Sequence, residues 1–322
     1  MDYDYDTPDA SDALAERFEQ AMSTTGRGQR RGPAGGRKAG SGGSGGSGGP
    51  GGNGRSKRDV VLSKALSRLL RHQADAAGIT LDKEGFAPLD KVFLYGPIRS
   101  LKPTFSEIVD CVKSSDKQRF AMKPNPATNP SLDESSTDPS HWLIRANQGH
   151  SIKLDSEHLL RPIVPNPAPD SNELPIPPVV VHGTYFAFWP QIESSGGLKR
   201  MNRNHVHFST GLPEDNGKEV ISGMRSDAEV LVYVDVERSI REGGLKWWMS
   251  DNGVVLTEGN EEGMVEKKFF KEVVGRRQNV GVLWKDGEKV ADLPEGLVIK
   301  QPFGKAGKGA KGSRGGGRGR GR

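Results

Sequence analysis

Glycine-rich sequence of low complexity occupies both ends of the chain and limits what can fold. Residues 26–54 are mostly glycine with serine and a few basic residues, and residues 304–322 repeat glycine with lysine and arginine. Segments of this composition lack the apolar side chains that a core needs, so we expect both to be disordered. The sequence that can fold runs from about 59 to 303, which is enough for two small lobes.

The charge of the chain is concentrated in these ends. Residues 26–58 carry a net charge of +8 and residues 304–322 carry +7, whereas residues 1–25 carry −6 and residues 59–303 carry −4. A basic tail suits non-specific contact with the RNA backbone, and nuclear targeting explains it equally well. Any anion site in the folded part must come from a local cluster of arginines, because that part has no general positive field.

The single cysteine indicates the kind of compartment in which the protein works. Cys111 excludes a disulfide framework within the chain and favours a reducing, intracellular compartment, nuclear or cytoplasmic. It lies in an apolar helical pattern and is predicted to be a core thiol rather than a nucleophile. No apolar run approaches the length of a membrane span, and the acidic leader does not have the composition of a signal peptide.

The first half of the folded part has the element order of a winged helix. Apolar residues at helical spacing predict a helix from residue 58 that Gly78 ends. A short strand, two further helices and two strands follow, and the last two strands flank a polar loop at 123–140. We therefore predict an α+β protein whose first lobe, 58–162, is a winged helix. That fold often binds nucleic acid, although fold alone does not fix function.

The second half is predicted to be rich in strands. A stiff, proline-rich connection at 163–178 precedes three valines that begin a buried strand. A helix is predicted at 186–192, and HVHFS at 205–209 alternates polar and apolar residues as a half-buried strand does. Asn252-Gly253 is a strong hairpin signal between two later strands. The second lobe is predicted to span 179–303.

Polar side chains cluster at two places in the first half. Arg71 and His72 close the first helix, and IRANQGHS at 144–151 brings Arg145, Gln148 and His150 to the end of a strand. Arginine suits phosphate because its planar fork donates two parallel hydrogen bonds. The plain alternatives are a basic helix end that complements the helix dipole and a solvated loop.

A third cluster lies in the second half. His182, Gly183 and Thr184 are predicted to form a polar turn at a strand end, and Arg203 precedes the strand that carries His207. Neutral imidazole and hydroxyl groups suit the ribose and amide of a ligand, so a ligand site and an ordinary turn both stay open. The two histidines of HVH also fit a metal, but no cysteine or carboxylate cluster supplies a third ligand.

Four stretches together resemble one family. They are LSKALSRLLRH, IRANQGHS, VVHGTYFAFWPQI with the following GLKRMNRNHVHFS, and MSDNGVVLTEG. The chain resembles the KptA-type NAD-dependent tRNA 2′-phosphotransferases, collinearly from about Arg58 to Val298. The resemblance implies a winged-helix lobe for RNA and a β-rich, ADP-ribosyltransferase-like lobe for NAD. The leader at 1–57, the loop at 123–140 and the tail at 304–322 lie outside it.

The resemblance also implies a reaction. The family removes the internal 2′-phosphate that splicing leaves in tRNA: the phosphate attacks C1″ of the nicotinamide ribose and expels nicotinamide, and the 2″-hydroxyl then attacks phosphorus. The products are RNA with a 2′-hydroxyl, nicotinamide and ADP-ribose 1″,2″-cyclic phosphate, and no metal is expected. The family's catalytic residues fall, by motif, on Arg71, His72, Arg145 and Arg203. The expected contacts to NAD are His182, Gly183, Thr184, His207, Gln148 and His150.

Two other functions stay open. One is ADP-ribosylation of a terminal phosphate on RNA or DNA, which would use the same arginines. The other is RNA binding without catalysis. ADP-ribosyltransferases that modify proteins typically place a glutamate where this chain has Val254 and Val255, and Glu258 follows shortly after.

Overall fold

The computed structural model describes residues 56–115, 117–212, 222–225 and 227–299. The acidic leader, the glycine-rich segment and the basic tail, all predicted to be disordered, lie outside the described residues. Within these ranges helices combine with several β-sheets, which confirms the α+β class. In the part of the chain that the structure describes, no helix has both the length and the apolar character needed to cross a bilayer.

The helices precede most of the strands, and the strands dominate the second half. The helices are α1 (Lys57–Arg68), α2 (Leu89–Leu94), α3 (Gly96–Leu101), α4 (Phe105–Lys113), α5 (Ser156–Leu159), α6 (Trp189–Ser195) and α7 (Val236–Gly243). The strands are β1 (Ala87–Pro88), β2 (Phe120–Pro124), β3 (Trp142–Ala146), β4 (Arg161–Val164), β5 (Leu174–Pro175), β6 (Val181–Thr184), β7 (Gly197–Lys199), β8 (Val206–Phe208), β9 (Val230–Val234), β10 (Trp247–Met249), β11 (Val255–Thr257), β12 (Met264–Glu266), β13 (Phe270–Gly275), β14 (Val282–Lys285) and β15 (Glu288–Lys289).

Helix α1 forms where the apolar pattern predicts it. Ser56 caps its start: the Ser56 hydroxyl accepts from the Asp59 amide, and the Asp59 carboxylate accepts from the Ser56 amide. Leu62 and Leu66 are buried, whereas Val61, which belongs to the same apolar pattern, is 48% exposed. The apolar face therefore follows a narrower stripe than the sequence pattern indicates.

The first half packs its helices against a small antiparallel sheet in the order β1-β3-β2. Ile108 of α4 and Ile144 of β3 lie in the same apolar core as α1. Cys111 is buried in this core, as predicted. The sheet places the end of β3, and with it Arg145, beside the end of α1.

The second half contains two five-stranded sheets, ordered β5-β4-β10-β11-β8 and β15-β14-β13-β9-β6. Both sheets contribute to one apolar core, in which Phe208, Trp247 and Val232 are buried. The backbones of Val181 and Ser209 pair across the two sheets, with N–O distances of 2.8 and 3.0 Å. This bridge brings β6 next to β8, the two strands that carry the predicted histidines.

The hairpin predicted at Asn252-Gly253 is confirmed, because Met249 pairs with Val255 across it. The helix predicted at 186–192 forms slightly later, as α6. Residues 185–188 instead make a turn in which the amides of Phe188 and Trp189 both donate to the Tyr185 carbonyl. Gly196 ends the helix with a φ of 92°, a left-handed conformation that glycine adopts without strain.

Candidate active site

Arg71 and His72 lie in a π-helical turn, Leu69–Gln73, that continues α1. Such turns are rare and are frequently found at functional sites. The Arg71 carbonyl accepts hydrogen bonds from the amides of Ser151 and Ile152, at 3.0 and 3.2 Å. The Nδ1 atom of His72 lies 2.9 Å from the Ser151 hydroxyl. The first predicted cluster is thus joined to the second, IRANQGHS.

The glycine of IRANQGHS is required by its backbone conformation. Gly149 has a φ of 90°, where a side chain is strained. A Cβ atom at this position would lie 3.4 Å from Cζ of Arg71 and 3.5 Å from its Nε. Gly149 therefore lets the Arg71 guanidinium lie directly against the backbone of the motif.

Arg145 is a buried arginine held on three sides. Its Nη1 donates to the Glu84 carbonyl at 2.9 Å, and its Nη2 forms an ion pair with the Asp251 carboxylate. The guanidinium lies over the Phe86 ring, 4.7 Å from the ring centroid. A buried charge is tolerated when it is paired and hydrogen-bonded in this way.

The segment that carries Arg203 is fastened to the first half of the chain by Asn204. The Asn204 amide donates to the His150 carbonyl at 2.9 Å, and Nδ2 of Asn204 donates to the Ile152 carbonyl at 2.7 Å. The structure therefore brings the second and third predicted clusters together, although they are more than fifty residues apart in sequence.

The HGT sequence at 182–184 is not a turn, so that prediction is wrong. All three residues belong to β6 and pair with β9, and Gly183 lies opposite Leu231. A Cβ at Gly183 would lie 2.5 Å from Cγ of Met224, which leaves no room for a side chain. Thr184 is buried, and its carbonyl accepts from the Glu229 amide at 2.7 Å. Of the three valines predicted to begin the strand, only Val181 belongs to β6, and the strand continues through the polar residues because they pair with β9.

His182 and His207 meet across the two sheets, as predicted. Nδ1 of His182 lies 2.8 Å from the His207 carbonyl oxygen. Because a carbonyl can only accept, Nδ1 of His182 carries the proton. The Nε2 atom of a neutral His182 is then an acceptor.

Two neutral histidines lie at the centre of the arginines. Burial, together with the nearby Arg71, His205, His72 and Arg145, lowers the pKa of His150 to about 3. Burial also lowers the pKa of His207 well below its usual value, and Arg203 and Arg71 add to this effect. All four residues predicted to be catalytic therefore act electrostatically on a histidine that is uncharged at neutral pH.

Several buried polar atoms at this place have no hydrogen-bond partner among the described residues. They include Nε2 of His207, Nε2 of His150, Oε1 of Gln148 and Nε of Arg145. Most buried polar groups in proteins are hydrogen-bonded, and leaving one unpaired costs about 1–3 kcal/mol. Unpartnered donors and acceptors grouped in this way are what a polar ligand would satisfy.

A further polar cluster, which the sequence patterns did not predict, consists of Ser156, His205 and Glu258. The Ser156 hydroxyl lies 2.6 Å from Oε1 of Glu258 and 2.9 Å from Nε2 of His205. Ser156 donates to the carboxylate and accepts from His205, whose pKa burial lowers to about 4 against the opposing effect of Glu258. The alternation of HVH was a signal for His205, because residues two apart in a strand lie on the same face.

Replacing Ser156 by alanine will destabilise the protein by about 1–3 kcal/mol, because it leaves the buried Nε2 of His205 without its acceptor. The free energy of unfolding in urea measures this loss. Ser171→Ala is the matched control, since the Ser171 hydroxyl is exposed and bonds only to its own loop. Equal stability of the two variants would show that the Ser156 contact contributes nothing.

Comparison with protein families assigns the chain to one of them. The model of the RNA 2'-phosphotransferase, Tpt1 / KptA family matches residues 57–259. The chain belongs to this family of transferases. Every residue predicted for the site lies inside the matched range, whereas strands β12 to β15 follow it. The family resemblance seen in the sequence is thereby confirmed.

Individual relatives agree with the family match. The chain is 38% identical to the tRNA 2'-phosphotransferase 1 of Bos taurus over 221 residues, which cover 68% of this chain and 77% of the relative. It is 38% identical to the tRNA 2'-phosphotransferase 1 of Homo sapiens over 220 residues, covering 68% and 77%. The tRNA 2'-phosphotransferase of Saccharomyces cerevisiae is 36% identical over 219 residues, covering 67% and 86%.

Proposed function

We propose that the chain removes the internal 2′-phosphate from spliced tRNA, with NAD as a co-substrate. The products are RNA with a 2′-hydroxyl, nicotinamide and ADP-ribose 1″,2″-cyclic phosphate. The observation that carries this proposal is that hydrogen bonds join the IRANQGHS segment both to the backbone of Arg71 and to Asn204, the neighbour of Arg203. The family membership of the chain supports the same reaction.

The arrangement suits a reaction whose nucleophile is already charged. A phosphate anion needs no strong base, so the task of the protein is to hold it in line with the reacting carbon. Arg71, Arg145 and Arg203, with His72, are the proposed phosphate ligands. Preorganised donors of this kind act most strongly when charge builds up on the phosphoryl oxygens.

The residues proposed for NAD fit a sugar and an amide rather than another phosphate. The unpartnered Nε2 of His207 and Oε1 of Gln148 can bond to hydroxyl and amide groups. Gly183 lets Met224 and Ala228 pack closely against β6 beside His182. His150 and His207 are uncharged, so they add no positive charge near a ribose that becomes electron-poor as nicotinamide leaves. His182 and Thr184 complete the proposed set, and the expectation that no metal takes part stays a prediction.

We propose that the two halves of the chain bind different substrates. We assign RNA binding to residues 58–162 as a winged helix, supported by helices α1 to α4 around a three-stranded antiparallel sheet. We assign NAD binding to residues 179–303 as an ADP-ribosyltransferase-like lobe, supported by two five-stranded sheets with a shared core. RNA contact by the basic tails and a nuclear or cytoplasmic location stay proposals of the same kind.

ADP-ribosylation of a terminal phosphate remains the alternative, because the same arginines would hold that acceptor. Glu258 does not supply the glutamate that modification of a protein acceptor would need. Its carboxylate accepts from the Ser156 hydroxyl and lies 3.7 Å from Nε2 of His205, so it is already engaged in a structural contact.

A short RNA with one labelled internal 2′-phosphate tests the proposal when it is incubated with and without NAD. We expect the label to appear in ADP-ribose cyclic phosphate only when NAD is present. Label that stays on RNA carrying ADP-ribose would favour the alternative. No reaction under either condition would mean that the chain binds RNA without this chemistry.

A further inference from the structure

We propose that Asp251 is a positioning residue that holds the Arg145 guanidinium in place for the phosphate; this rests on the role proposed above for Arg145. The Asp251 carboxylate forms an ion pair with Nη2 of Arg145. The Arg145 side chain is 10% exposed, whereas the Asp251 side chain is 47% exposed. A carboxylate at the surface therefore supplies the counter-charge to an arginine that is almost fully buried.

Of the three groups that contact the Arg145 guanidinium, Asp251 comes from a different half of the chain than the other two. The Glu84 carbonyl and the Phe86 ring both belong to the turn that leads into β1, in the same half of the chain as Arg145. Asp251 lies in the turn between β10 and β11, in the other half. It is thus the contact that relates Arg145 to the second half.

The second half is also where Arg203 and His207 lie, and Asp251 is built into their framework. Strand β11 pairs with β8, and Leu256 lies opposite His207. Arg203 comes just before β8. The Asp251 carboxylate therefore fixes Arg145 relative to the strand that positions the other side of the proposed phosphate site.

The turn that carries Asp251 keeps its shape without the Asp251 side chain. The Ser250 amide donates to the Val254 carbonyl at 3.0 Å, and the Val254 amide donates to the Ser250 hydroxyl at 3.1 Å. Nδ2 of Asn252 donates to the Lys117 carbonyl at 2.8 Å, which ties the turn to the first half independently. Replacing Asp251 should therefore change Arg145 and leave the turn intact.

Positioning and competition predict opposite effects on the kinetics. A carboxylate that competes with the phosphate for Arg145 would weaken substrate binding, and its removal would lower KM. A carboxylate that orients Arg145 acts on the transition state, so its removal lowers kcat. The buried Nε of Arg145, which has no partner in the described part of the chain, favours orientation, since this N–H is not taken up by Asp251.

The test compares Asp251→Ala and Asp251→Asn with Glu157→Ala. Glu157 is an exposed acid that pairs with Lys246 instead of Arg145, so its loss changes the net charge equally. We expect Asp251→Ala to lower kcat about tenfold with little change in KM. Asp251→Asn keeps an oxygen that accepts from Nη2 and should stay within about threefold of the wild type. Glu157→Ala should match the wild type.

A lower KM with an unchanged kcat in Asp251→Ala would show that Asp251 competes with the phosphate for Arg145 and does not position it. Wild-type kinetics in that variant would show that Asp251 has no role in the reaction. The proposed function is judged separately by the turnover of the wild-type protein. If the wild type shows no turnover, urea unfolding of the Asp251→Ala, Arg145→Ala and double variants still measures the coupling energy of this ion pair. Additive effects there would overturn the coupling between Asp251 and Arg145.

Discussion

Arg145→Lys will lower turnover about a hundredfold or more at saturating RNA and NAD. Lysine keeps the charge but loses the planar fork, so it cannot contact the Glu84 carbonyl, the Asp251 carboxylate and a phosphate together. Loss of one preorganised donor to developing charge typically costs about 10²–10³ in kcat. The release of labelled cyclic phosphate under single-turnover conditions measures the chemical steps directly.

Arg99→Lys provides the control for this substitution, because Arg99 is exposed on α3. It should turn over at the wild-type rate. If Arg145→Lys retained a rate within about threefold of the wild type, the fork would not act on the phosphate, and Arg145 would be a structural residue of the contact between the two halves.

The free energy of unfolding will fall steeply as the pH drops below about 6.5, the ordinary pKa of histidine. Burial lowers the pKa of His150 to about 3 and that of His205 to about 4, and it lowers the pKa of His207 well below its usual value. In this window the unfolded chain binds protons that the folded chain does not. Stability is therefore fully present above the unfolded pKa and is lost as the pH falls.

The size of the effect follows from the number of histidines. Each contributes about 1.4 kcal/mol per pH unit inside its window, so three give about 4 kcal/mol per unit. Small domains have only about 5–15 kcal/mol in total, so we expect most of this stability to be lost by about pH 4. Urea unfolding at a series of pH values between about 7.5 and 5 gives the slope.

His205→Gln tests this explanation while keeping a donor for the Ser156 hydroxyl. It should reduce the slope by about 1.4 kcal/mol per pH unit. Ser171→Ala removes no titratable group and should leave the slope unchanged. Equal slopes in all three proteins would show that the loss of stability in acid comes from other groups.

Sequence patterns predicted the elements that depend on neighbouring residues. The first helix, the hairpin at Asn252-Gly253 and the alternation around β8 are all local, and the structure has each of them. The segments that carry the family motifs lie together in the structure, since Asn204 bonds the IRANQGHS segment to the segment that leads into the strand of His207. The individual roles in binding and catalysis stay predictions.

What the sequence did not predict depends on partners far along the chain. The ion pair between Arg145 and Asp251 spans 106 residues, and the contact between Ser156 and Glu258 spans 102. Neither has a local pattern. HGT was taken for a turn because glycine beside polar residues usually ends a strand, but the hydrogen bonds to β9 outweigh that preference. The π-helical turn at Leu69–Gln73 has no signature in its composition.

The route of the chain between its two halves has a consequence for how such an enzyme can evolve. Residues 161–164 and 174–175 are strands of the second sheet, in which β4 lies between β5 and β10. A fragment starting at 179 would leave β10 as a bare edge strand, with unpaired backbone groups beside Trp247 and Trp248. The segment that leaves the first half is thus an integral part of the second. Recombination within the proline-rich stretch would separate β4 or β5 from this sheet, so an exchange of the first half has to leave both strands with the second.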